Sequence, residues 1–214
     1  MAKTTRIILL AITSFLFLSF CASAGPVPDT GQTKCYDNSG EIPCPQPGEV
    51  FYGQDAQYAG PTRSYTKLGQ NGVALPDAAT EADGWLMTRD NVTGLIWEIK
   101  ADDGSIHDKD NRYSWAEAQS VFIAQVSQQN FGGFSDWRLP TVKELTLLVN
   151  SGIPYPGPTI DTAWFPLTVS SYYWSSTTYA GDTLNAWHVG FNLGRVYTFS
   201  KSNSYYVRAV RAGQ

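Results

Sequence analysis

Ten residues, Asp136-Trp137-Arg138-Leu139-Pro140-Thr141-Val142-Lys143-Glu144-Leu145, constrain this chain more than any other stretch. Thr141 followed three residues later by Glu144 is a capping box. The hydroxyl accepts from the Glu144 amide, the carboxylate reaches back to the Thr141 amide, and a helix starts there. Pro140 lies just ahead of the cap, where its missing N–H breaks no helical bond, and it biases Leu139 toward extended backbone. Trp137-Arg138-Leu139 therefore enters the helix as a strand-like segment. Along such a segment Asp136 and Arg138 point the same way. With Trp137 as an aromatic anchor, these residues read as structural. They suit a network to strand ends or to the Arg208/Arg211 region better than a paired acid and base.

The remaining periodicity places elements around this hub. Ser114-Trp115-Ala116-Glu117 is a second capping box, and Trp115, Ala118, Phe122 and Val126 recur at steps of three and four as one apolar stripe. That helix is predicted to leave through Gly132-Gly133. The helix from Thr141 shows Leu145, Leu148 and Val149 on one face. Ahead of them, Trp85-Leu86-Met87, the turn Asp90-Asn91-Val92-Thr93-Gly94 and Leu95 to Ile99 form a hairpin signature. After Pro158 the pattern is β: Tyr172 to Thr178, then Trp187, Val189 and Phe191 alternating with His188, a return through Val196 to Phe199, and a closing strand from Tyr205 to Arg211. Helices followed by antiparallel hairpins make an α+β plan.

The amino terminus reads as an export signal. Lys3 and Arg6 precede an apolar run from Ile7 to Phe20, and Ala22-Ser23-Ala24 offers a small-residue cleavage site, so residues 1–24 are the leader and the product is periplasmic or secreted. A lipid anchor at Cys21 competes, but bulky Phe20 stands where such sites want a small residue. The run is too short for a transmembrane span. Removing the leader takes the formal charge from −4 to −6, which argues against nucleic acid as a partner. Residues 25–61 then form a proline-rich arm, stapled by a disulfide between Cys35 and Cys44, ahead of a domain over 62–214.

Three features could carry chemistry. Asp102, Asp103, Asp108 and Asp110 offer enough oxygens for a calcium ion, although the loop lacks the EF-hand order and a solvated acidic loop is the competing reading. No other cofactor is indicated. Tyr172, Tyr173, Trp174 and Tyr179, bordered by Ser and Thr, form the candidate ligand surface, whereas Trp97, Trp115, Trp137 and Trp187 sit in apolar patterns that suit a core. His188 alternates on a strand, which suits a surface or hydrogen-bonded role. There is no Gly-x-Ser-x-Gly and no phosphate-cradling glycine loop, so an unrecognised hydrolase is a distant alternative.

Five landmarks in order carry a resemblance: Gly94-Leu95-Ile96-Trp97-Glu98, Tyr113 to Ala118, Asp136 to Thr141, Tyr173-Trp174-Ser175-Ser176 and Tyr206 to Arg211. Over residues 85–212 the chain resembles the Lcl C-terminal domain family, named for a bacterial collagen-like adhesin. The resemblance implies a C-type-lectin-like fold, also similar to the formylglycine-generating enzyme, with two helices packed on twisted antiparallel sheets. Members often carry cysteines near the positions of Gly132 and Ala209, and this chain has neither. That enzyme works through reactive cysteines, and residues 85–212 contain none. The implied function is a non-catalytic module for adhesion or recognition of a glycan or protein surface, with a structural cell-envelope component as the alternative.

Overall fold

Local signals build the two helical regions. The computed structural model describes residues 26–213; the leader read at 1–24, its cleavage site near Ala24 and Cys21 lie outside the described residues. Both capping boxes form: Ser114 caps α1 (Trp115–Glu117) and Thr141 caps α3 (Val142–Leu147), each exchanging bonds with the glutamate three residues on. α1 runs without a break through a π-helical stretch, Ala118–Ile123, into α2 (Ala124–Gln128). The π stretch has a packing reason. In a straight α-helix Val126 would be rotated about 80° from Ala118, and the wider turns return Ala118, Phe122 and Val126 to one fully buried line. The exit uses the glycines as expected, Gly132 at φ +62° and Gly133 at φ +90°, but the left-handed turn begins two residues earlier, at Asn130 with φ +49°.

The strands make three antiparallel sheets. β1 (Cys35–Tyr36) and β2 (Glu41–Ile42) pair in the arm, where the Cys35–Cys44 disulfide is formed. β3 (Tyr65–Leu68), β4 (Met87–Asp90), β5 (Leu95–Glu98) and β9 (Val210–Ala212) form a four-stranded sheet in the order β3-β4-β5-β9. The predicted hairpin joins β4 to β5: Asp90 Oδ1 accepts from the Val92 amide at 2.9 Å, and Gly94 takes φ +75°. β6 (Tyr172–Thr178), β7 (Asn185–Gly190) and β8 (Arg195–Ser200) form a three-stranded sheet in chain order. The hub segment extends the larger sheet, since Arg138 bridges to Val210. The architecture is α+β.

Two cores lie on opposite faces of these sheets, and neighbouring residues feed one or the other. Ile96, Trp174 and Ala209 enter the core that holds Ala118, Phe122, Val126 and Trp137. Trp97, Tyr173 and Val210 enter the second, with Leu145, Leu148, Val189 and Phe191. Strands covered on both faces read as continuous apolar runs, not as alternation. The closing segment shows the consequence: Val207 through Arg211 are all buried, and only Val210–Ala212 is strand, while Tyr205 and Tyr206 make single bridges to Tyr113 and Tyr173. No helix among the described residues is long and apolar enough to cross a membrane.

Candidate functional site

Where α3, the β4–β5 turn, the end of β9 and the β7–β8 hairpin meet, they leave a groove of about 1100 Å³. Leu95, Val142, Leu147, Trp187 and Val196 supply its apolar lining, and Val27 of the arm closes one side. Trp187 is placed by strand register: it pairs with Thr198 and faces away from Ala186 and His188. It is half-buried, with its ring edge-on to Tyr179 at 5.3 Å. This corrects the sequence expectation of a core Trp187. The physical reason is that Trp187 falls at the edge of the second core, which takes Val189 from the same strand but not Trp187.

The polar rim belongs to the hub. Arg138 holds Glu144 in a two-pronged ion pair, with Nη1 to Oε2 at 2.8 Å and Nη2 to Oε1 at 2.6 Å. The same carboxylate caps the Thr141 amide at 2.8 Å. Burial pushes the Glu144 pKa up, but the Arg138 hydrogen bonds and the Thr141 amide outweigh it and hold the pKa below the usual carboxylate value. Lys143 stands exposed on the same rim. Asp136 turns the other way, bonding Arg211 through Nε at 2.7 Å and Nη2 at 3.2 Å. Trp137 is buried between them and donates its indole N–H to the Phe131 carbonyl at 3.0 Å.

A second polar centre was not anticipated. Glu98 is fully buried; its Oε1 takes Lys100 Nζ at 3.1 Å and His107 Nδ1 at 2.8 Å, and its Oε2 accepts from the Ala209 amide at 2.9 Å. Burial disfavours its charged form, yet Lys100, His107 and the amide together hold its pKa low, while burial carries the Lys100 pKa down. Arg208, equally buried, donates to the Glu98 carbonyl at 2.6 Å and to Thr168 Oγ1 at 2.7 Å. His107 stacks on Phe131 and lines a cleft of about 280 Å³ with Trp85, Ser105, Asp102 and Asp103. The available signal was two charges, Glu98 and Lys100, two apart at the end of an otherwise apolar run. The arrangement secures a buried carboxylate; the Ser105 hydroxyl accepts from the His107 amide at 3.1 Å.

The sequence-predicted ligand surface does not survive folding. Tyr173 and Trp174 are 1% and 0% exposed, each in a different core, so neither can stack on a ligand. Tyr172 and Tyr179 remain half-buried, on separate patches: Tyr172 lies against His188, Tyr179 against Trp187. His188 is also corrected. It is neither on the surface nor hydrogen-bonded, but fully buried among Tyr172, Trp174, Tyr197, Phe199 and Tyr205 with both ring nitrogens unpartnered. Burial alone pushes its pKa down to about 4.

In the acidic loop, Asp102, Asp108 and Asp110 bring carboxylate oxygens within 4.8 Å of one another, and Asp103 is not among them. Lys109 Nζ already sits at 3.3 Å from Asp102 and 2.7 Å from Asp110. Asp108 accepts the amides of Asp103, Gly104 and Asp110 at 2.7–2.9 Å, which lower its pKa.

A family model described as Lcl C-terminal domain matches residues 86–211, spanning both helical regions, the hub and the three-stranded sheet. This chain belongs to the Lcl C-terminal domain family. No curated protein matches it. Within this Lcl C-terminal domain the match begins after β3, yet β3 is paired along its whole length with β4, so the folded unit takes in residues ahead of the matched segment. The groove is built from matched residues except Val27, Ala212 and Gly213.

Proposed function

We propose that this Lcl C-terminal domain is an exported, non-catalytic recognition module, and that its ligand is a protein surface presenting apolar side chains to the groove beside α3. The observation that carries the reading is the groove itself, about 1100 Å³ with a mainly apolar wall, a half-buried tryptophan on it and the fixed Arg138–Glu144 pair at its rim. Such a site orients a ligand through the polar groups and gains affinity from apolar burial. Three threonines and three charged residues also line the groove, but its exposed wall is mainly apolar and the Arg138–Glu144 charges are taken up by each other, so a protein segment fits better than a sugar. The Cys35–Cys44 bridge is in keeping with an oxidising compartment.

Peptide display on the mature protein tests this, followed by titration of the selected sequences against wild type and Leu147→Glu. The expected result is selection of apolar and aromatic sequences whose affinity drops at least about tenfold in a variant with unchanged circular dichroism, as for loss of a buried anchor. Glycan-array binding indifferent to Leu147→Glu, with no peptide selected, would overturn the reading in favour of a sugar site elsewhere.

A further inference from the structure

The arm presents apolar side chains that it does not bury. Val50 is 76% exposed, Phe51 42%, Tyr52 45% and Tyr58 61%. Yet the turn that carries them is held in place. The Tyr52 amide bonds the Glu49 carbonyl at 3.3 Å, and Gln54 Nε2 bonds the carbonyls of Phe51 at 3.0 Å and Tyr36 at 2.7 Å, clamping the turn to the disulfide-stapled hairpin. Phe51 takes φ +67°, a left-handed conformation that costs a bulky residue free energy. A strained, clamped turn that leaves Val50 and over two-fifths of each aromatic residue in solvent has apolar surface unused inside its own copy.

We infer that the groove beside α3 is filled by the Val50–Tyr52 knob of a second copy of this chain, joining copies head to tail. The inference rests on the groove being the recognition site and names its partner. None of Val50, Phe51, Tyr52 or Tyr58 lines the groove of its own copy. Their charges are complementary. Between residues 26 and 61 one lysine faces five carboxylates, with Glu49 adjoining the knob. In the groove Glu144 is taken up by Arg138, leaving the exposed Lys143 ammonium at the rim. With Phe51 and Tyr52 42% and 45% exposed, the two rings and the valine have on the order of 300 Å² left to bury per partner, well below the roughly 800 Å² of a standard interface, so the contact is weak and reversible. A self-complementary pair of unlike surfaces continues into rings or chains.

The test is sedimentation velocity on the mature chain from about 10 to about 500 µM, the range a contact of this size calls for. Wild type should grow into species beyond the dimer, while Phe51→Ser/Tyr52→Ser (knob) and Leu147→Glu (groove) each stay monomeric. Mixing those two variants should give a dimer and nothing larger, because one intact groove then meets one intact knob. Lys143→Glu, an exposed change that spares folding, should weaken association, and adding Glu49→Lys should restore it. A wild type that stays monomeric throughout, or association unchanged by every variant, would overturn the inference. If the wild type stays monomeric while selected peptides still bind in a Leu147-dependent way, the partner is wrong and the groove reading stands.

Discussion

Replacing His188 with phenylalanine should remove a pH-dependent weakness from the fold. The imidazole is fully buried in an aromatic surround, with Phe199 at 4.9 Å and Tyr205 at 5.3 Å between ring centroids, and neither nitrogen has a partner. Burial disfavours the charged form and takes its pKa from 6.5 to about 4. The unfolded chain therefore binds this proton first as pH falls. The stability linked to His188 is intact above about pH 6.5 and is lost progressively down to about pH 4, below which this group adds no further slope. At 1.36 kcal/mol per pKa unit the loss comes to about 3 kcal/mol. Phenylalanine keeps the ring packing and has no proton to bind. It also removes two unsatisfied polar atoms, so at pH 7 the variant should equal or exceed wild type by about 1 kcal/mol. Urea unfolding of both proteins from pH 7.5 to 4 isolates the term, because carboxylates such as Asp136 and Glu144 contribute equally to each. Parallel stability curves, or a His188 NMR titration near 6.5, would refute the reasoning.

Trp137→Ala should cost about 3–5 kcal/mol through a core cavity, against about 1 kcal/mol for Thr141→Ala through its lost cap; Trp137 is 4% exposed, and a denaturant midpoint within error of wild type would show that it carries no core. Calcium should shift the wild-type melting temperature by less than about 1 °C, because Lys109 already neutralises Asp102 and Asp110, whereas Lys109→Ala should make the loop calcium-responsive. A rise of several degrees in wild type would show that the ion displaces the lysine. The double substitution Cys35→Ser/Cys44→Ser should cost at most about 3 kcal/mol, since the closed loop is short, and should speed proteolysis within residues 26–61 while sparing the rest. Simultaneous cleavage throughout the chain would show that the arm supports the whole fold.

What was legible from sequence was local. The caps at Ser114 and Thr141, the Asp90–Gly94 turn and the cysteine pair each depend on residues within ten positions of one another, so their geometry is nearly complete before the chain folds. The Asp136–Arg211 contact was foreseeable as a link from the hub to the closing segment, but its direction was not: Asp136 turns away from Arg138, which holds Glu144 instead. The identity of the surface was not legible. Tyr173, Trp174 and His188 lie on strands whose residue types suit either a solvent face or a core face, and only the packing of a second layer on each side buried all three. Trp187 lies on the same strand as His188 and stayed partly accessible because it falls at the edge of the second core, which takes Val189 but not Trp187, and lines the groove beside α3. Buried Glu98, Lys100 and Arg208, with half-buried His107, join residues up to 110 positions apart, and no window of sequence reports whether such groups will meet. Burial is decided by what packs on top, and that is a property of distant segments meeting, where sequence periodicity specifies only which residues share a side.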